Sequence, residues 1–148
     1  MIILDILFKQ PKDGEKDHIV VKCRNISPEL SDLLGQIKDA DQVLVAYAEN
    51  EIYRIKPADV YYIEAVDKKA FLYCEKIVYE SKQKLYEFED MLNLTAFMRI
   101  SRSTIVNMSK VKSVVIALYG RLEVILENGE SVIVTRTYVD VFRHRLSL

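Results

Sequence analysis

The chain has 148 residues, half of them apolar and 29% charged, with four glycines, three prolines and a formal net charge of -1. That length supports one domain with a real core, alone or with a small accessory unit, and excludes two full domains. No apolar run approaches the roughly 20 residues that cross a bilayer, and the start Met1-Ile2-Ile3-Leu4-Asp5 lacks the basic residues of a secretion signal, so a cytoplasmic protein is expected.

Residues 2–8 and 18–24 are apolar, β-branched runs separated by a charged segment containing Pro11 and Gly14, which predicts a hairpin with a loose loop. Ser27-Pro28 then signals a helix start, and Leu30, Leu33, Leu34 and Ile37 recur at helical spacing as far as about Lys38. A ββα unit of this size is small for independent stability and needs to dock on the rest of the chain or on a second copy of itself.

From Gln42 the pattern turns to short strands at 43–48, 51–56, 60–66, 70–74 and 76–81, punctuated by Asn50, Pro57 and Asp67-Lys68-Lys69. Spacing this close suits antiparallel hairpins, because parallel crossovers need a dozen residues or more. A brief helix at 84–92 comes next, with Leu85, Phe88 and Leu92 on one face. Strands at 111–118, 121–126 and 131–135 complete the series, the last two joined through Asn128-Gly129, the strongest short hairpin signal. A helical pattern at 138–146 aligns Val139, Phe142 and Leu146.

Between these elements lies Phe97-Met98-Arg99-Ile100-Ser101-Arg102-Ser103-Thr104-Ile105-Val106-Asn107, which sets two arginines, three hydroxyls and an amide among apolar anchors. Such groups hold phosphates and read base edges. With Phe97, Ile100, Ile105 and Val106 packed inward, the polar groups would sit on a rigid support. Charge is also unevenly placed: residues 1–98 carry 13 Lys and Arg against 18 Asp and Glu, a net -5, whereas residues 99–148 carry 8 against 4, a net +4. Lys68 and Lys69, Arg99 and Arg102, and Arg136 recur at turns or strand ends, where a β scaffold could gather them on one edge. Taken singly, each is more often a solvated surface charge.

Catalytic and metal chemistry find little support. His18 and His144 lie at opposite ends of the chain, and neither sits among cysteines or carboxylates, so no metal site is expected. Ser101 and Ser103 lie outside any Gly-x-Ser-x-Gly elbow, and the isolated glycines form no phosphate loop. No enzyme activity, cofactor or small-molecule substrate is expected. Cys23 and Cys74 have no paired spacing and read as reduced, buried thiols.

The succession Val60-Tyr61-Tyr62-Ile63-Glu64-Ala65, Lys84-Leu85-Tyr86-Glu87-Phe88-Glu89, and the 97–107 stretch, continued by Val111, Asn128-Gly129 and Val134-Thr135-Arg136-Thr137-Tyr138, resembles the LytTR family of DNA-binding domains over about residues 43–147. The resemblance implies a mainly β protein with short helices (α+β), in which antiparallel sheets at 42–148 form the DNA-binding domain and the ββα extension at 1–41 serves dimerisation or regulation. It implies a bacterial transcription regulator that reads the major groove of double-stranded DNA through loops, at paired repeats. Carried over by position, the DNA-facing residues are Lys68, Lys69, Arg102, Ser103 and Arg136, with Ser101 and Thr137 available for the backbone and Arg99 undecided. Asn107 has two roles open to it: a DNA contact, or a bond to main chain that fixes its turn. The implied partners besides DNA are a second copy of the chain and a membrane-bound inhibitor protein. Two departures stand out. Ser101 occupies a position where many members carry His, and the short extension cannot be the receiver domain that many members carry. The competing expectation is a protein-interaction module on the same fold, with a merely solvated basic edge.

Overall fold

The structure, a computed structural model, describes residues 6–146. It contains α1 (Pro28–Asp41), β1 (Leu44–Ala48), β2 (Glu51–Ile55), β3 (Val60–Val66), β4 (Lys69–Cys74), β5 (Val78–Ser81), α2 (Leu85–Met91), β6 (Phe97–Arg99), β7 (Thr104–Asn107), β8 (Val111–Ile116), β9 (Leu122–Leu126), β10 (Ser131–Val134) and α3 (Arg136–Arg145). Every strand pairing is antiparallel. Seven strands form one sheet in the order β2-β1-β5-β4-β3-β7-β6, and three form a second in the order β10-β9-β8. The fold is thus mainly antiparallel β with three short helices.

Two apolar cores lie on opposite faces of the larger sheet. On one face, Leu44, Ile63, Leu72 and Ile105 pack beneath Leu85, Phe88 and Leu92 of the short helix α2 and its end. On the other, Tyr62, Met98, Ile100 and Val106 meet Leu122, Val124 and Val134 of the smaller sheet and Phe142 of α3. Strand β3 serves both cores. A register shift against β4 between Val60 and Tyr62 lets Val60 and Ile63 face the first core while Tyr61 and Tyr62 both face the second. That is the extra residue of a β-bulge, which breaks the strict alternation of faces.

Turn chemistry fixes the hairpins. Glu49 and Asn50 between β1 and β2, and Asp67 and Lys68 between β3 and β4, all have positive φ, as two-residue type I′ turns require. Gly129 (φ +86°) closes the β9–β10 connection, where the Asn128 side chain accepts from the Glu130 N–H at 3.1 Å.

The amino-terminal extension differs from expectation. Residues 18–24 are exposed and pair with no strand; of the expected partner run, residues 2–5 lie outside the described residues and 6–8 are likewise exposed and unpaired. A lone hairpin with its apolar face uncovered is marginal in water, and no element of this domain covers this one. Cys23 shares that exposure, so it is not the buried thiol expected, whereas Cys74 is half-buried. Helix α1 does form, and runs three residues beyond Lys38. The Ser27 hydroxyl before it accepts from the Leu30 N–H at 3.2 Å, a serine cap. Gly35 carries the helix onto the domain: a Cβ there would stand 2.8 Å from the Leu94 carbonyl oxygen.

Candidate nucleic-acid interface

Three turns converge at one end of the larger sheet, and main-chain bonds tie them together. The β3–β4 turn holds Asp67 and Lys68. The β6–β7 loop docks beside it, with the Ala65 N–H donating to the Ser103 carbonyl at 2.8 Å. The start of α3 joins the same loop, since the Thr135 N–H donates to the Ile100 carbonyl at 3.0 Å. A further tie comes from the start of α2, where Lys84 Nζ donates to the Lys68 carbonyl at 3.0 Å.

The β6–β7 loop divides into supports and free groups. Phe97, Ile100, Ile105 and Val106 are all buried, as the apolar spacing predicts. Arg99 is turned back on its own loop: Nε donates to the Ser101 carbonyl at 2.7 Å, a terminal nitrogen donates to the Arg102 carbonyl, and Glu89 lies 3.6 Å away. Ser101 is only 8% exposed, and its hydroxyl accepts from the Ser103 N–H at 3.2 Å, closing the turn. Asn107 is 1% exposed; its Nδ2 donates to the Val60 carbonyl at 2.8 Å, and its Oδ1 accepts from the Ser109 N–H at 3.0 Å and the Ser109 hydroxyl at 2.7 Å. Of the two roles open to Asn107, the main-chain one is occupied. Arg102 and Ser103 are exposed at the loop's tip.

The other expected residues lie close by in the fold. Lys68 is exposed at its turn with φ +66°, while neighbouring Lys69 pairs with Glu80 at 3.1 Å across the β4–β5 ladder. Arg136 and Thr137 open α3 and are exposed. Arg102, Ser103 and Thr137 share a groove of about 780 Å³, floored in part by Tyr62, Glu64 and Tyr138. Arg136 and Thr137 line a smaller hollow beside it.

Arg121 belongs to both hollows and is not among the residues expected from sequence. It ends the β8–β9 connection, where Tyr119 and Gly120 both have positive φ. Gly120 also lies against Arg136: a Cβ there would come within 2.9 Å of Arg136 Cγ, so the missing side chain is what lets the arginine stem pass. The signal in the sequence is Tyr-Gly-Arg at a predicted strand junction, but only the packing of the smaller sheet on the larger brings that junction to this end.

Burial, and then the nearby Glu130 carboxylate, push the Tyr62 hydroxyl's pKa up, so it stays protonated beside Glu130. His144, exposed on the last turn of α3, does not line the groove that holds Ser101 and Ser103. Among the described residues no cluster of three or more metal-ligating side chains occurs, and no helix is long and apolar enough to cross a membrane.

The sequence profile of the LytTr DNA-binding domain matches residues 50–147. The chain belongs to the LytTR family. The LytTr DNA-binding domain of a Bacillus cereus response regulator has the same fold, with a TM-score of 0.69, 30% identity, and coverage of 73% of this chain and 99% of that one. The sensory transduction protein LytT of Enterococcus faecalis is 32% identical over 100 residues, which are 68% of this chain and 41% of that protein. This chain thus matches less than half of LytT's length. An HTH-type transcriptional regulator of Staphylococcus aureus is 26% identical over 144 residues, 96% of this chain and 97% of its own. Despite that relative's designation, the three helices of this LytTR protein are separated by strands, and no helix-turn-helix occurs among the described residues.

Proposed function

We propose that this LytTR protein is a cytoplasmic transcription regulator that reads double-stranded DNA through its turns, in the major groove and at paired repeats. The observation that carries this reading is the convergence of exposed Lys68, Arg102, Arg121 and Arg136 on hydrogen-bonded turns at one end of a rigid sheet. Rigid placement matters because base reading needs side chains held in register, and flexible loops lose affinity to ordering entropy.

Roles follow from surroundings. Arg102 and Arg136 are the base-reading candidates, as arginine forks match the O6 and N7 acceptors of guanine. Lys68, Arg121, Ser103 and Thr137 suit phosphate contacts that position the duplex. Glu64 on the groove floor repels phosphate, which keeps backbone contacts at the rim, and its carboxylate can accept from a cytosine amino group. Arg99, Ser101 and Asn107 act one step back by holding the loop. The larger contact group that many members carry at the Ser101 position is absent here, so base preference differs from theirs.

Selection of bound fragments from a random DNA pool tests this reading. A defined repeat should emerge, and with three or four phosphates engaged per domain, log K should fall with log salt at a slope near about -3. No retention of DNA at low salt would instead support a protein-interaction module.

A further inference from the structure

The β8–β9 connection holds large apolar side chains out in solvent beside the basic turns. Tyr119 is 80% exposed and Leu118 77%. Tyr119 also lies in the left-handed region, with φ 62° and ψ 33°, where a bulky aromatic residue is an outlier and glycine or asparagine the usual occupant. The fold gains little from this ring, which belongs to neither core. Strained backbone beneath an exposed side chain points to a use outside the fold.

The connection is firmly held. The Ala117 N–H donates to the Arg121 carbonyl at 3.0 Å, the Arg121 N–H donates to the Leu118 carbonyl at 3.3 Å, and Gly120 lies directly against the stem of Arg136. Tyr119 therefore lines one hollow of about 450 Å³ with Arg121, Thr135, Arg136 and Thr137. When Arg136 meets a base edge in the major groove, the Tyr119 ring enters the same groove. The one apolar group on a major-groove base edge is the C5-methyl of thymine. A minor-groove wedge would instead part Tyr119 from the arginine that shares its hollow.

We propose that Tyr119 is a specificity-determining residue whose ring packs on the C5-methyl of a thymine next to the base pair read by Arg136, an assignment that rests on the DNA-reading function proposed above. The arginine supplies hydrogen bonds to guanine. The tyrosine supplies an apolar contact that cytosine, which lacks the methyl, does not return. Packing ring on methyl removes apolar area from water, and because the connection is already ordered, little freedom is lost in making the contact. Thymine is thus preferred to cytosine at a position where Tyr119 makes no hydrogen bond to the base.

Operators selected from the random pool should carry thymine beside the guanine that Arg136→Ala ceases to distinguish. Replacing that thymine by deoxyuridine deletes the methyl alone and leaves every hydrogen-bonding group in place. The replacement should cost the wild type roughly fourfold in affinity, the worth of one buried methyl group, and cost Tyr119→Ala nothing further. Tyr119→Phe should keep the wild-type preference, because the hydroxyl takes no part in it. An operator without thymine there, a wild type indifferent to deoxyuridine, or a Tyr119→Ala protein with the full methyl preference overturns the proposal and leaves reading by the arginines intact. A wild type that retains no DNA overturns both.

Discussion

Residues 60–66 and residues 18–24 are both short apolar runs rich in β-formers, yet the first is a central strand and the second is exposed and unpaired. Strand β3 has β4 on one side and β7 on the other, and an apolar core on each face. Residues 18–24 have no strand neighbour and no cover among the described residues. Propensity therefore nominates a strand, and neighbours decide whether it forms.

The same substitution at two phenylalanines tests that contrast most severely. Phe142 is fully buried in the second core, so Phe142→Ala should cost about 3–5 kcal/mol of stability. Phe8, 92% exposed, should lose under about 0.5 kcal/mol on replacement by Ala, as surface changes do. Denaturant midpoints at low protein concentration compare them directly; equal losses would mean that the extension packs on the domain.

Asn107→Ala comes next. It leaves the Val60 carbonyl and Ser109 N–H without their buried partners, at roughly 2–3 kcal/mol in the same measurement. Arg102→Ala and Arg136→Ala should instead spare stability and cost about 1–3 kcal/mol of DNA binding each, read by titration against the selected operator.

Lys68→Gly should move two properties in opposite directions. Relief of the left-handed conformation stabilises the fold by about 1 kcal/mol, while the lost charge flattens the salt slope by about 1. A variant that binds normally removes Lys68 from the interface.

The last expected effect is alkaline. Burial, and then Asp59, push the Cys74 thiol up to about 11 from 9.0. The unfolded chain therefore loses this proton first, and stability should decline as pH rises from about 9 to about 11. Thermal melts of Cys74→Val across that window should show a shallower decline.

Much of the fold can be read from local pattern. Alternation locates β1 to β5 and β8 to β10, Asn128-Gly129 marks its hairpin, and the spacing of Leu85, Phe88 and Leu92 gives α2 its buried face. The bulge that turns Tyr61 and Tyr62 to the same core is invisible to a two-residue period. At the site, positive charge at predicted turns points to Lys68, Arg102 and Arg136, but charge cannot say which arginine is free. Arg99 and Arg102 are three residues apart and equivalent in pattern; one bonds its own loop and the other projects. Arg121 escapes a sequence reading because its place depends on how the two sheets meet, which no local pattern encodes.

The central claim, that arginines on these turns read base edges in the major groove, is tested most directly by operators in which single guanines are replaced by 7-deazaguanine. That change deletes the N7 acceptor and leaves the minor groove intact. One replacement should cost the wild type roughly tenfold in affinity, part of a bidentate contact, and cost the Arg102→Ala or Arg136→Ala protein nothing further at its own position. Undiminished wild-type binding to every 7-deazaguanine operator would contradict the account.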